Sequence, residues 1–204
     1  MQNVTPRTEP AQESPAPVRP HRLCPWWLGY LLASPIRRLV HQPAKVVEPF
    51  VRPGMTVLEP GPGMGFFTLE LARRVGDSGK VVAVDIEQRM LNRLRRRAAK
   101  AGVLARVDAR LARADSLGLG DLANAVDFTL VFAVLHEMPS PAAFFREAFS
   151  ASKPGARLLL AEPAGHVSQA LFDAELQAAR DAGFTIVESL ALPRCHGALL
   201  EIAV

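Results

Sequence analysis

The fold of this chain is decided by residues 56–67, which read TVLEPGPGMGFF. A short apolar run ends in a carboxylate, Glu59, and three glycines follow at alternate positions, Gly61, Gly63 and Gly65. Glycine is needed where a chain turns with a positive φ angle or where the backbone must approach a ligand closely. A glycine loop between a strand and a helix presents amides at the helix N-terminus, which suits a nucleotide-like ligand. The stretch therefore predicts a ligand-binding loop after the first strand of an α/β sheet.

The spacing of these glycines separates two classes of ligand. The dinucleotide fingerprint is G-x-G-x-x-G, but here Gly65 comes one residue early and Phe66 stands where the fingerprint has glycine. A carboxylate at Glu59 would repel a pyrophosphate and attract an ammonium group. The loop favours a cationic ligand, and an NAD(P)-dependent oxidoreductase remains as an alternative.

Residues 59–65 resemble motif I (acidic-x-G-x-G-x-G) of the class I S-adenosylmethionine (SAM) methyltransferases. Two further stretches support the resemblance, VVAVDI at residues 81–86 and KPGARLLL at residues 153–160. The second is similar to the family's L-K-P-G-G-x-L stretch, although Ala156 replaces a glycine and Ser152 the leucine. The resemblance covers about residues 43–204, and it implies that the glycine loop packs under the methionine part of SAM.

Length and composition allow one domain with at most an appendage, because the chain has 204 residues. A hydrophobic content of 49% is ample for a core, and a net charge of +4 is only mildly basic. This charge permits nucleic-acid binding without arguing strongly for it. No apolar run approaches the roughly 20 residues of a membrane span. We therefore expect a cytoplasmic protein.

The two cysteines, Cys24 and Cys195, show no metal-ligand spacing such as C-x-x-C. We expect two unpaired thiols in a reducing compartment, and we predict no metal site. If the two cysteines approach each other, a soft ion or metalloid between them is the alternative.

Three segments follow from the composition along the chain. Residues 1–22 are broken by prolines and are expected to form a disordered tail. Residues 23–52 are expected to form an N-terminal helical lid or cap that carries Trp26, Trp27 and Tyr30. The alternative is a helical layer that only packs on the sheet. Residues 53–204 form the predicted SAM-binding domain.

From residue 55 onward the pattern alternates between strand and helix, which predicts a parallel α/β sheet. The predicted strands are residues 56–59, 81–84, 107–111, 125–135, 185–192 and 198–204, with a fifth strand entered through a tight turn at residues 153–160. The predicted helices are residues 65–76, 87–101, 141–151 and 167–182, and a shorter one at residues 43–50 precedes the first strand. The last two strands are joined too closely for a helical crossover, so they must be antiparallel. The predicted fold is a Rossmann-like, doubly wound, seven-stranded, mostly parallel sheet with an antiparallel last strand and an N-terminal helical layer.

A carboxylate ends the second predicted strand, at Asp85. It can accept hydrogen bonds from both hydroxyls of a ribose, so it indicates an adenosine-like ligand. Ile86 belongs to the same motif and is assigned to the cofactor with it. The family resemblance further implies that Asp115 accepts from the adenine amino group, with Ser116 assisting. Asp115 could instead cap a turn.

His136 and Glu137 follow the fourth predicted strand, at the edge of the sheet where chemistry occurs in α/β folds. A histidine could remove a proton at neutral pH, and a neighbouring carboxylate could orient it. The two residues could equally shape the loop or the cofactor site.

The predicted function is methyl transfer from SAM to a small-molecule acceptor. No Asn/Asp-Pro-Pro-aromatic motif follows the fourth strand, which disfavours methylation of the exocyclic amines of nucleic-acid bases. One alternative is an RNA methyltransferase that uses the basic helix at residues 87–101, although no aromatic residues interleave its charges. Another is a non-catalytic SAM-binding protein. The sequence leaves the acceptor and the oligomeric state open.

Overall fold

A computed structural model describes residues 42–113 and 115–204 of the chain. The expectations for the tail at residues 1–22, for Cys24 and for the Trp26, Trp27 and Tyr30 lid lie outside the described residues.

Seven strands of the described chain form one sheet in the order β3-β2-β1-β4-β5-β7-β6. They are β1 (Thr56–Pro60), β2 (Lys80–Asp85), β3 (Val107–Leu111), β4 (Val126–Phe132), β5 (Ser152–Pro163), β6 (Phe184–Ser189) and β7 (Cys195–Ile202). Strands β1 to β5 pair in parallel, whereas β7 lies antiparallel between β5 and β6. The predicted seven-stranded sheet and its reversed last strand are confirmed.

The inner strands are buried because their sequences are apolar without alternation, as expected where helices cover both faces. Val81 to Val84 of β2 and Phe128 to Phe132 of β4 are buried. The helices that surround the sheet are α1 (Pro43–Val47), α2 (Thr68–Val75), α3 (Gln88–Lys100), α4 (Pro141–Ala151) and α5 (Gln169–Asp181). Each long helix turns an apolar stripe to the sheet; in α3 this stripe is Leu91, Leu94 and Ala98.

Helix α1 packs on the sheet rather than standing apart from it. Val47 is fully buried in the main core, and Phe50 stacks on Phe128 of β4 with ring centroids 5.6 Å apart. The helix predicted to reach Phe50 ends at Val47. The described part of the N-terminal layer, residues 42–52, thus contributes to the core.

Positive φ angles shorten two predicted elements at the edge that carries the candidate site. Ala133 has a φ of 57°, so β4 ends at Phe132 instead of continuing to Leu135. Gly65 has a φ of 82°, so helix α2 begins at Thr68. Both changes lengthen the loops at the carboxyl ends of β1 and β4, where ligands bind in open α/β sheets.

Two other boundaries differ from the prediction. Strand β5 begins earlier than expected, at Ser152, and its pairing with β4 is interrupted by a bulge between Val126 and Phe128. Strand β6 ends at Ser189, three residues before the predicted end. Among the described helices, none is long and apolar enough to cross a membrane.

Candidate active site

The glycine loop is packed at one end and open in the middle. Gly61 donates its amide to the Val84 carbonyl at 2.8 Å and has a φ of 62°. A β-carbon at Gly61 would lie 2.4 Å from Cγ2 of Val134, so this glycine allows the turn after β4 to approach the loop. Gly63 also has a positive φ, of 54°, but a β-carbon there would meet nothing within 4 Å. The space above Gly63 is where a ligand could approach the backbone.

Glu59 lies near the end of β1 and is only 4% exposed. It opens onto a small cleft, which is lined by Glu59, Pro60, Gly61, Pro62, Phe66, Phe67, Leu130 and Phe132. A buried carboxylate is stabilised by a nearby cation or by hydrogen bonds. The predicted position of this acid beside the glycine loop therefore suits a ligand with a positive charge.

Asp85 ends β2 and connects to the glycine loop directly. Its Oδ2 accepts a hydrogen bond from the Gly63 amide at 3.2 Å, and its Oδ1 accepts one from the Glu87 amide at 2.9 Å. Burial raises the pKa of Asp85, and these amide hydrogen bonds partly oppose that rise. Each carboxylate oxygen has a second lone pair, so both can still accept a ribose hydroxyl. The next residue, Ile86, is 46% exposed and offers an apolar surface beside that acid.

Asp115 and Ser116 are held in different surroundings. The Asp115 side chain is 72% exposed and pairs with Arg113, whose guanidinium lowers the pKa of the carboxyl. Ser116 donates its hydroxyl to Glu147 of α4 at 3.2 Å, and the Leu117 amide donates to the same carboxylate. Glu147 thus fastens the segment after β3 to α4, while Asp115 points to solvent.

His136 lies in a 3-10 turn, Leu135–Glu137, immediately beyond β4. Its Nδ1 forms a hydrogen bond with Oε2 of Glu162, which is fully buried near the end of β5. The other oxygen of Glu162 accepts the amides of Val134 at 3.2 Å and Leu135 at 2.8 Å. One buried carboxylate therefore fixes both the backbone of the turn and the ring of the histidine.

The charges around His136 favour its protonated form. Burial alone would lower the pKa of His136, but the hydrogen bond to Glu162 and the charges of Glu162, Glu137 and Glu175 raise it above the usual value. With Nδ1–H directed to Glu162, a neutral ring has its lone pair on Nε2. That nitrogen lies 4.0 Å from Oε1 of Glu137. Burial also raises the pKa of Glu137, against the opposing charge of His136.

Sequence reasoning did not identify Glu162, Glu175 and His166. Glu162 directly follows the apolar run LLLA, the same pattern that singled out Asp85, so its position at the end of β5 was a usable signal. His166 makes an edge contact with the His136 ring, with centroids 6.1 Å apart. Glu175 gave no signal, because a glutamate within a helix is normally exposed.

Two arginines of the basic helix α3 have structural partners. Arg95 donates to the Ala109 carbonyl of β3, and Arg97 donates to the Met64 carbonyl of the glycine loop, both at 2.5 Å. Arg89, Arg96 and Lys100 are exposed. The basic face is thus smaller than the sequence indicated. Within residues 42–113 and 115–204, no group of three or more His, Cys, Asp or Glu side chains is arranged to hold a metal ion.

The sheet with its reversed β7, the glycine loop after β1 and the acid at the end of β2 together define the class I SAM-dependent methyltransferase fold. The sequence profile of the family described as "Methyltransferase domain" matches residues 52–191. The chain belongs to this family.

Known relatives agree with this assignment. The ubiquinone/menaquinone biosynthesis C-methyltransferase UbiE of Salmonella arizonae is 35% identical over 112 residues, which are 55% of this chain and 44% of UbiE. This chain thus matches less than half the length of the curated relatives. A SAM-dependent methyltransferase from Aquifex aeolicus superposes with a TM-score of 0.79 at 27% identity, covering 89% of this chain and all of that one. The [4+2]-cyclase SpnF, at 24% identity, has a TM-score of 0.63 over 74% of this chain and 60% of its own, which shows a shared fold.

The cofactor that this family implies fits the residues present. Gly63 leaves room above its backbone, Glu59 offers a buried carboxylate, and Asp85 is anchored where β2 ends. These groups match the needs of a ligand with a cationic amino-acid part and a ribose.

Proposed function

We propose that this chain transfers a methyl group from SAM to a small-molecule acceptor that His136 deprotonates. One observation carries the proposal. His136 is held by the buried Glu162 in the turn whose Val134 packs on the glycine loop. A base fixed to the cofactor loop is positioned for proton removal next to the bound cofactor.

The cofactor would be held by residues at the carboxyl edge of β1 and β2. Glu59 would face its ammonium group, the backbone at Gly61, Gly63 and Gly65 would support the methionine part, and Asp85 would accept the ribose hydroxyls. Ile86 would cover one face of the adenine. When bound, SAM supplies a methyl group that its sulfonium already activates. The protein has mainly to align the acceptor and to exclude water.

The role of His136 follows from its hydrogen bond. Glu162 accepts a hydrogen bond from Nδ1–H, which leaves the lone pair of Nε2 to take a proton from an acceptor hydroxyl, thiol or ammonium. The imidazolium that forms is stabilised by the Glu162 carboxylate, and the acceptor atom gains the electron pair that attacks the methyl carbon. Glu137, 4.0 Å from Nε2, adds a second negative charge beside the imidazolium.

A phenolic acceptor is the first class to test. The related UbiE is a C-methyltransferase of ubiquinone and menaquinone biosynthesis. An RNA acceptor is less favoured, because Arg95 and Arg97 of α3 already bind backbone carbonyls.

The test is transfer of label from methyl-labelled SAM to a panel of quinol-like phenols, thiols, amines and a short RNA. The wild type should label a small molecule, while His136→Asn should bind SAM with unchanged affinity and lose at least about tenfold in turnover. Labelled RNA would favour the nucleic-acid alternative. SAM binding without any labelled product would favour a non-catalytic SAM-binding protein. Full turnover by His136→Asn would show that His136 is not the base.

A further inference from the structure

Helix α5 buries a carboxylic acid within an otherwise apolar stripe. Its buried residues are Phe172, Glu175 and Ala179, which recur at the three- and four-residue spacing of one helix face. Glu175 is only 2% exposed. Glutamate is almost never fully buried unless it is paired. Its presence in the stripe therefore calls for a reason other than packing.

The face that carries Glu175 packs toward the end of β5. Phe172, one turn before Glu175, stacks on the ring of His196 with centroids 5.4 Å apart. His196 is the residue of β7 that pairs with Glu162 of β5. The charges of Glu162 and His136 are close enough to act on Glu175. Three side chains on three different elements thus share one buried polar region.

Neither carboxylate oxygen of Glu175 has a hydrogen-bond partner in the described part of the chain. A buried carboxylate without a partner is costly, and such a group becomes neutral instead. Burial, and after it the negative charge of Glu162, raise the pKa of Glu175 to about 8 against the opposing positive charge of His136. At neutral pH the side chain is a carboxylic acid.

We propose that Glu175 is a positioning residue that sets the charge state of the His136–Glu162 pair. While Glu175 is neutral, the imidazole of His136 faces one buried carboxylate and can lose its proton, ready to act as a base. When Glu175 ionises, a second buried negative charge stabilises the imidazolium. The inference deepens the proposed function, because it concerns the residue that we assign as the base.

Three other ionisable side chains lie near His136 and Glu162, and each has a contact that does not involve Glu175. Glu137 flanks the outer nitrogen of His136, and His166 contacts the ring from the loop after β5. His196 is engaged with the Val167 carbonyl at 3.1 Å.

Helix α4 and strand β6 also pack against α5, but their ionisable side chains point elsewhere. Arg146 and Glu188 are exposed, and Glu147 binds the Leu117 amide. Neither α4 nor β6 therefore supplies a charge to the buried region that Glu175 shares with His136.

The test is an NMR titration of the histidine rings in the full chain, with the His136 signal assigned by His136→Asn. The wild type should show the His136 signal moving in two coupled steps, one of them near pH 8, the pKa of Glu175. In Glu175→Gln, which keeps the shape and removes the charge, a single step at lower pH should remain. The imidazolium fraction at pH 8 should fall by about twofold or more. Glu188→Gln, an exposed change on β6, is the matched control and should leave the curve unchanged.

Identical His136 curves in the wild type and Glu175→Gln would overturn the inference. Glu175→Leu, which replaces the acid with an apolar side chain, should reproduce the Gln result and decides the question if Glu175→Gln does not fold. The rate profile separates the two proposals. If His136 is the base, the rise of turnover with pH should move to lower pH in Glu175→Gln. A shifted His136 titration with an unshifted rate profile would support the coupling between Glu175 and His136 and would reject His136 as the base.

Discussion

Cγ2 of Val134 lies 2.4 Å from the position that a β-carbon on Gly61 would occupy. Gly61→Ala should therefore push the turn after β4 away from the cofactor loop. With the added strain of a φ of 62°, the free energy of unfolding should fall by roughly 1–3 kcal/mol or more. Denaturant unfolding measures the loss.

Gly63→Ala is the matched control for this change, because Gly63 has a similar φ of 54° but nothing within 4 Å of a β-carbon. It should lose less stability than Gly61→Ala while still weakening SAM binding, since the new methyl group occupies the space above the loop. Adding Val134→Ala to Gly61→Ala should restore part of the stability. Equal stability losses in the two glycine variants would contradict this packing.

Asp85→Asn should weaken SAM binding by about 1–3 kcal/mol, because the charge-assisted hydrogen bonds to the ribose are lost. Burial raises the pKa of Asp85, and the ionised form is the one that accepts both hydroxyls. SAM affinity should accordingly fall as the pH falls through that raised pKa, sooner than for an exposed aspartate. Calorimetric titration at several pH values measures both effects. Asp173→Asn, an exposed aspartate on α5, should change neither.

Asp115→Ala separates two roles for an exposed residue. Its pairing with Arg113 is solvent-exposed, so its loss should leave stability almost unchanged. If Asp115 accepts from the adenine amino group, SAM affinity should still fall severalfold. SAM affinity and the free energy of unfolding should be measured on the same variant. If both are unchanged, Asp115 does not bind the adenine and is only a turn residue.

Arg97→Gln should loosen the glycine loop, because Arg97 donates to the Met64 carbonyl at 2.5 Å. We expect a loss of about 1–3 kcal/mol in stability, with weaker SAM binding. Arg96 is its neighbour in the same helix and is exposed, so Arg96→Gln should change stability and SAM binding very little.

A test of RNA binding by charge reversal should use Arg89, Arg96 and Lys100. Changes at Arg95 and Arg97 would damage the fold as well as the charge.

Glu175→Gln should stabilise the protein at alkaline pH. In the folded chain Glu175 keeps its proton to about pH 8, whereas an unfolded glutamate releases it near 4.5. The folded state therefore binds more protons between these values, and wild-type stability falls as the pH rises through that window. The gain of the Gln variant should grow by up to about 1.4 kcal/mol for each pH unit in the window and should vanish below pH 4. Urea unfolding at pH 4, 6 and 8 gives the comparison.

The fold could be predicted because its signals are local. The glycine loop, the apolar strands and the short connection between β6 and β7 each specify their own geometry, and together they define the sheet. Strand ends were less predictable, because Ala133 adopts a positive φ that no residue preference indicates.

Only some residues of the candidate site could be predicted from the sequence, for a different reason. Asp85 and His136 stand at strand ends, where position alone suggests a ligand. Glu162 also stands near the end of a strand, but its contact with His136 joins residues far apart in sequence. The burial of Glu175 is decided by how α5 packs on the sheet. Arg97 illustrates the same limit, since a charge in a basic run gives no sign that it reaches a backbone carbonyl in another loop.

The attachment of the turn after β4 has a practical consequence for protein engineering. Glu162 binds main-chain amides of Val134 and Leu135, and these amides are present whatever side chains the turn carries. A mutagenesis library at Glu137 and Met138, built with Glu162 and His136 held constant, should therefore keep the turn in place while it varies the surface around the base. Selection from such a library offers a route to new methyl acceptors without redesign of the backbone.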